Sequence, residues 1–190
     1  MKQEKLLLAS ASPRRRELLD IMGIPFDVCT VSIEEDHSGC AKETVMRLAR
    51  EKAVAAQKLF PERIILGADT LVVCNGKTLG KPKDEADAIH MLQMLSGNVN
   101  SVYTGICLLD GKAGYINTDF DKTDVYFLPV DDSSIRKYVS SGEPMDKAGA
   151  YGVQGMGGMF VYRIEGSPSN VIGLPMHLVR QMLIESGWKL

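Results

Sequence analysis

The chain has 190 residues, of which 45% are hydrophobic and 24% charged, so it is too apolar for disorder and long enough to bury a core without disulfides or metal staples. Lys and Arg number 22 against 24 Asp and Glu, a formal net charge of −2. That balance excludes a generic nucleic-acid or membrane-surface binder, which would need a basic excess, and makes any anion site a local feature.

In chain order, Leu6 to Ala9 is a short apolar run that reads as a buried strand. Ser12 then offers a helix N-cap, Pro13 a first helical residue, and Leu18, Leu19 and Met22 an inner face, with Gly23 as the stop. Phe26 to Val31 returns as a strand and leads into the acidic segment Glu34-Glu35-Asp36. A long helix is expected from about Lys42 to Phe60, with Val45, Leu48, Ala49, Lys52, Ala53 and Ala56 along one flank. Ile64 to Val73 is apolar on both sides of Asp69-Thr70, as in a buried strand that changes character at a site.

Asn75-Gly76 predicts a type I′ hairpin that folds Lys77 to Leu79 back on that strand. Asp84 to Leu95 has helical spacing of Ala88, Met91, Leu92 and Leu95. Val99 to Leu109 and Tyr115 to Phe127 read as long antiparallel strands around Asp110-Gly111. A helix begins at Asp131-Asp132, a glycine-rich stretch covers Gly149 to Gly158, Met159 to Ile164 is a strand, and Leu174 to Ser186 closes the chain as a helix. This order predicts an α/β fold: a mixed, twisted sheet with flanking helices, two lobes around a central cleft, all within one domain over residues 1–190.

The four cysteines (Cys29, Cys40, Cys74, Cys107) and three histidines (His37, His90, His177) are scattered, which excludes zinc-ribbon spacing and a disulfide framework. They read as reduced, mostly buried thiols of a cytoplasmic protein. The apolar stretch before Pro13 is too short for a signal peptide or a membrane span. The ten methionines read as core filler. Neither a P-loop nor a G-x-G-x-x-G pattern occurs.

The chemistry concentrates elsewhere. In Ser10-Ala11-Ser12-Pro13-Arg14-Arg15-Arg16, arginines crowd a helix N-terminus whose dipole opposes them, a conflict that a phosphate resolves. Asp69, after the apolar run Ile64 to Ala68, can bind a divalent metal or orient water, and Glu35 can add a second metal ligand. Lys52 and Lys81 (in Gly80-Lys81-Pro82) add the cations that a triphosphate needs. In Asp146-Lys147-Ala148-Gly149-Ala150-Tyr151-Gly152-Val153-Gln154-Gly155, glycines permit close backbone approach and the Gln154 amide can read a base edge. Against these stand plainer readings: solvent-splayed arginines, a capping Asp69, a solvated acidic loop and a glycine-rich loop without a ligand.

Those segments, with Ala49-Arg50-Glu51-Lys52-Ala53, Gly67-Ala68-Asp69-Thr70, Leu95-Ser96-Gly97 and Gly173-Leu174-Pro175, resemble the Maf family of nucleoside triphosphate pyrophosphatases over nearly the whole chain. The resemblance implies hydrolysis of a nucleoside triphosphate to the monophosphate and pyrophosphate, with Mg²⁺ or Mn²⁺ as cofactor. Asp69-Thr70 and Gln154 resemble the branch acting on dTTP and UTP rather than the one acting on 7-methyl-GTP. By that resemblance Asp69 is the proton acceptor and, with Glu35, a metal ligand. Ser12, Arg14, Arg15, Lys52, Thr70, Lys81, Lys147 and Gln154 are substrate-binding. The implied partners are the triphosphate and a second copy of the chain in a homodimer, with no nucleic acid and no membrane. Asn100 stands where the family usually has His, and an Asn can hydrogen-bond but cannot carry a proton at neutral pH. The alternatives are the same chemistry on 7-methyl-GTP and, as a rival class, a nucleotide-binding regulator of cell division without turnover. The Glu35 and Asp69 carboxylates count against the regulator, because a pure binder of a polyanion has little reason to keep them unless a metal intervenes.

Overall fold

A computed structural model describes residues 5–189. The elements run β1 (Leu6–Ala9), α1 (Pro13–Ile21), β2 (Phe26–Val28), α2 (Ala41–Leu59), β3 (Ile64–Cys74), β4 (Lys77–Leu79), α3 (Glu85–Leu95), β5 (Val99–Asp110) and β6 (Tyr115–Phe127). They continue with α4 (Asp132–Val139), three short 3-10 turns (Glu143–Asp146, Ala148–Ala150, Met156–Phe160), β7 (Val161–Glu165), α5 (Pro168–Ile172) and α6 (Met176–Glu185). The sheet has seven strands in the order β2-β1-β3-β5-β6-β7, with β4 paired to β3. Pairing is parallel for β2-β1-β3 and antiparallel for β3-β4 and β6-β7, so the expected mixed α/β sheet is found.

The chain divides into two compact units. Among the described residues, the first comprises 5–69, Thr104–Asp121 and 173–189, and the second Thr70–Tyr103 and Lys122–Ile172. In the first, the core gathers Leu7, Ala9, Ile65, Cys107 and Leu109 from the strands against Ala49, Ala53 and Ala56 of α2. Alanines on the helix meet glycines on the strands, and the backbones approach closely as a result. A Cβ added to Gly67 of β3 would lie 2.1 Å from the Ala49 carbonyl oxygen, and one on Gly105 of β5 would lie 2.3 Å from that of Val45. Helix α2 is therefore set on the sheet at backbone contact distance.

In the second unit, Val72, Leu79, Leu92, Leu95, Val125 and Phe127 pack with Ile135, Tyr138 and Phe160. Asp84 and Asp131 cap α3 and α4 by accepting the backbone N–H of Asp87 and Ser134. Asn75 and Gly76 take the positive φ values (49° and 73°) of the expected hairpin turn.

Several boundaries differ from expectation. Strand β2 stops at Val28, and residues 29–40 are irregular. Helix α6 starts at Met176, with Pro175 as its cap. Ser12 occupies the N-cap position of α1 but makes no capping bond through its side chain; instead its own N–H donates to Ser10 Oγ at 3.3 Å. Met91 and Met182 are buried, whereas Met156 and Met159 are exposed, so the methionines are not all core filler. Cys29, Cys74 and Cys107 are buried, Cys40 is exposed, and all four are free. Among the described residues no helix is long and apolar enough to cross a membrane.

Candidate active site

The close seating of α2 on β3 places one charged group deliberately. Lys52 precedes the buried Ala53 on the helix, and Asp69 lies two residues beyond Gly67 on the strand. Lys52 Nζ donates to Asp69 Oδ1 at 2.7 Å and pairs with Glu35 Oε1, also at 2.7 Å. The Lys52 and Asp69 side chains are 12% and 7% exposed, and that of Glu35 is 43% exposed. One ammonium thus bridges two carboxylates, one deep on the strand and one on the irregular segment before α2. Among the described residues Asp69 Oδ2 is buried with no hydrogen-bond partner. A buried carboxylate oxygen left unpaired is costly, so its retention calls for a ligand or a chemical task.

The arginine-rich turn lies within electrostatic range of this pair. Arg15 is buried at 9% exposure; its Nε donates to the Gly173 carbonyl at 2.8 Å and its Nη1 to Ser10 Oγ at 2.9 Å. Burial pulls the Arg15 pKa down most strongly, Asp69 and Glu35 push it back up, and Arg14 pulls it down again. The chain itself therefore supplies part of the negative charge that the clustered arginines require. Arg15 ties the Ser10 turn to the segment leading into α6, while Arg14 is half-buried and Arg16 exposed in the first turns of α1. That tie was not legible in the sequence, because a bond to the backbone of Gly173, 158 positions away, leaves no local pattern.

Of the residues singled out from the sequence, the first unit brings together Glu35, Lys52 and Asp69, with Arg15 in electrostatic range of both carboxylates and Arg14 in range of Arg15. Ser12 heads α1 in the same unit. The others belong to the second unit. Thr70 is half-buried on β3, Lys81 is exposed after β4, and Gln154 is exposed in the glycine-rich turn. Lys147 donates to the Glu143 carbonyl and, at 2.7 Å, to Asp146 Oδ1.

Asn100 is buried: its Nδ2 donates to the Val125 carbonyl at 3.2 Å, and its Oδ1 accepts the Tyr151 hydroxyl at 2.9 Å. Burial pushes the Tyr151 phenol well above its ordinary pKa, so the hydroxyl keeps its proton and remains a donor. Asn100 thus serves as a hydrogen-bonding brace between β5, β6 and the glycine-rich stretch, a use that needs no imidazole.

No group of three or more His, Cys, Asp or Glu gathers for a metal among the described residues. Two carboxylates, one with an orphaned buried oxygen, do fit a hard divalent cation that completes its shell with substrate oxygens and water.

The family profile described as Maf-like protein matches residues 5–186. The chain belongs to the Maf-like family. A dTTP/UTP pyrophosphatase of Syntrophomonas wolfei is 46% identical over 95% of this chain and 96% of its own length. Proteins of the same description from Clostridium perfringens and Clostridium novyi are each 47% identical, over 94% and 96% of this chain and 95% and 98% of their own lengths. Coverage is near complete on both sides, so these Maf-like relatives match the two compact units together.

Proposed function

We propose that this Maf-like protein hydrolyses dTTP and UTP to the nucleoside monophosphate and pyrophosphate by water attack on the α-phosphorus. The observation that carries the reading is Asp69: a buried carboxylate on a strand, fixed through Oδ1 by Lys52 and with Oδ2 unpaired among the described residues. An acceptor held in this way can orient a water molecule and take its proton. The description of the Maf-like relatives as dTTP/UTP pyrophosphatases supports the choice of substrate.

In this reading Lys52 fixes the base and offsets the charge of two carboxylates that face a polyanion. Arg14 and Arg15, at the head of α1, neutralise phosphoryl oxygens, and Lys81 and Lys147 add positive charge for the departing pyrophosphate. Ser12 supplies a donor beside Arg14. Thr70 and Gln154 choose the nucleotide, the Gln154 amide matching the carbonyl and N–H edge that uracil and thymine share. Asp69 and Glu35 would hold Mg²⁺ or Mn²⁺, which when bound supplies Lewis acidity to the phosphoryl oxygens. The four free thiols support a reducing, cytoplasmic setting, and a homodimer is the expected assembly on the family resemblance.

The test is a triphosphate panel assayed for monophosphate release. The protein should prefer UTP and dTTP over purine triphosphates, and Gln154→Glu should lower kcat/KM for UTP more than for GTP, because a carboxylate cannot donate to a uracil carbonyl. Equal loss on both nucleotides would remove Gln154 from the specificity elements.

A further inference from the structure

Nothing in the sequence marks Glu143, which opens a 3-10 turn after α4. Its carboxylate collects three donors from the second unit. The Met156 N–H reaches Oε2 at 2.9 Å, the Gly157 N–H reaches Oε1 at 3.2 Å, and the Tyr138 hydroxyl reaches Oε1 at 2.9 Å. The Tyr138 oxygen in turn accepts the Gly152 N–H at 3.3 Å. Backbone amides on both sides of the exposed Gln154 are therefore tied to one Glu143–Tyr138 pair.

Packing leaves this arrangement little room. A Cβ on Gly155 would lie 2.5 Å from Glu143 Oε1, and one on Gly157 would lie 2.6 Å from the Tyr138 hydroxyl oxygen. Burial raises the Glu143 pKa, but the bonds from Met156, Gly157 and Tyr138 outweigh it and hold the carboxyl below its ordinary value. The acceptor is thus ionised at neutral pH, where its hydrogen bonds to N–H groups are strongest. A glycine-rich stretch has much backbone freedom to lose, and an amide discriminates between base edges only when it is held to within roughly half an ångström.

We infer that Glu143 is a positioning residue for nucleotide discrimination: it clamps the turn from Gly152 to Gly157, and so fixes the Gln154 amide against a pyrimidine edge. This rests on the reading of Gln154 given above.

The experiment measures kcat and KM for UTP and GTP in the wild type, Glu143→Gln, Gly155→Ala, Gln154→Ala and the Glu143→Gln/Gln154→Ala double variant, with amide hydrogen exchange at Met156 and Gly157. Gly155 has extended backbone that Ala can adopt, so Gly155→Ala displaces the carboxylate by contact alone. Glu143→Gln and Gly155→Ala should each lower the UTP-to-GTP ratio of kcat/KM about tenfold, mainly through KM for UTP, and should speed exchange at both amides. The double variant should be no less selective than Gln154→Ala alone, since the clamp acts through that residue. Equal losses on both nucleotides, additive losses in the double variant, or unchanged exchange in Glu143→Gln would overturn the proposal. Selectivity that disappears in Gln154→Ala but persists in Glu143→Gln overturns the clamp alone. A wild type without pyrimidine preference overturns the underlying reading of Gln154, and the clamp's role in selection with it.

Discussion

Replacing Asp69 with Asn is expected to lower turnover of UTP by roughly 10²-fold or more while the protein stays folded. The amide keeps the shape of the carboxylate, so α2 and β3 need not move. If its oxygen stays on Lys52 Nζ, its NH₂ takes the place of Oδ2, and a donor then stands where the orphaned acceptor was. The residue can then neither accept a proton from water nor serve as an anionic ligand. Thermal unfolding confirms that the variant is folded, and pyrophosphate release gives the rate. Near-normal release would remove Asp69 from the chemistry.

Gly67→Ala should have the largest effect on stability. The new Cβ would fall 2.1 Å from the Ala49 carbonyl oxygen, 3.0 Å from the Ala53 nitrogen and 3.1 Å from the Ala53 Cβ, and none of these can rotate away. Helix α2 would have to lift from β3. Overpacking of this kind costs about 1–3 kcal/mol when side chains can adjust, and a clash with backbone belongs at or above the upper figure. For a chain of this length that is a fall of roughly 6–12 °C in Tm. The same displacement carries Lys52 away from Asp69, so activity should fall further than partial unfolding accounts for. A variant with wild-type Tm would show that α2 tolerates a wider seat.

The parts of the fold that were legible have strong local causes. The Asn75-Gly76 turn favours positive φ, the small face of α2 recurs at helical spacing, and the apolar run before Asp69, bounded by turn signals, reads as a buried strand. The 3-10 turns between Glu143 and Phe160 and the short α5 carry no period and escaped, because they are shaped by hydrogen bonds to distant groups such as Tyr138. The same division runs through the site. Residue types named Glu35, Lys52 and Asp69 as candidates, and the structure joins them through one ammonium. Glu143 was invisible because its partners are backbone amides 13 and 14 positions away, and any sequence supplies amides. Arg15 read as a substrate contact, yet two of its donors are spent on Ser10 and Gly173, which makes it also a structural tie.

At the centre of the proposed reaction stands one chemical statement: water attacks the innermost phosphorus of a pyrimidine triphosphate. Hydrolysis of UTP in H₂¹⁸O, with mass analysis of both products, tests it most directly. Label found in UMP and absent from pyrophosphate is the predicted result. Label in pyrophosphate, or products of UDP and inorganic phosphate, would contradict it.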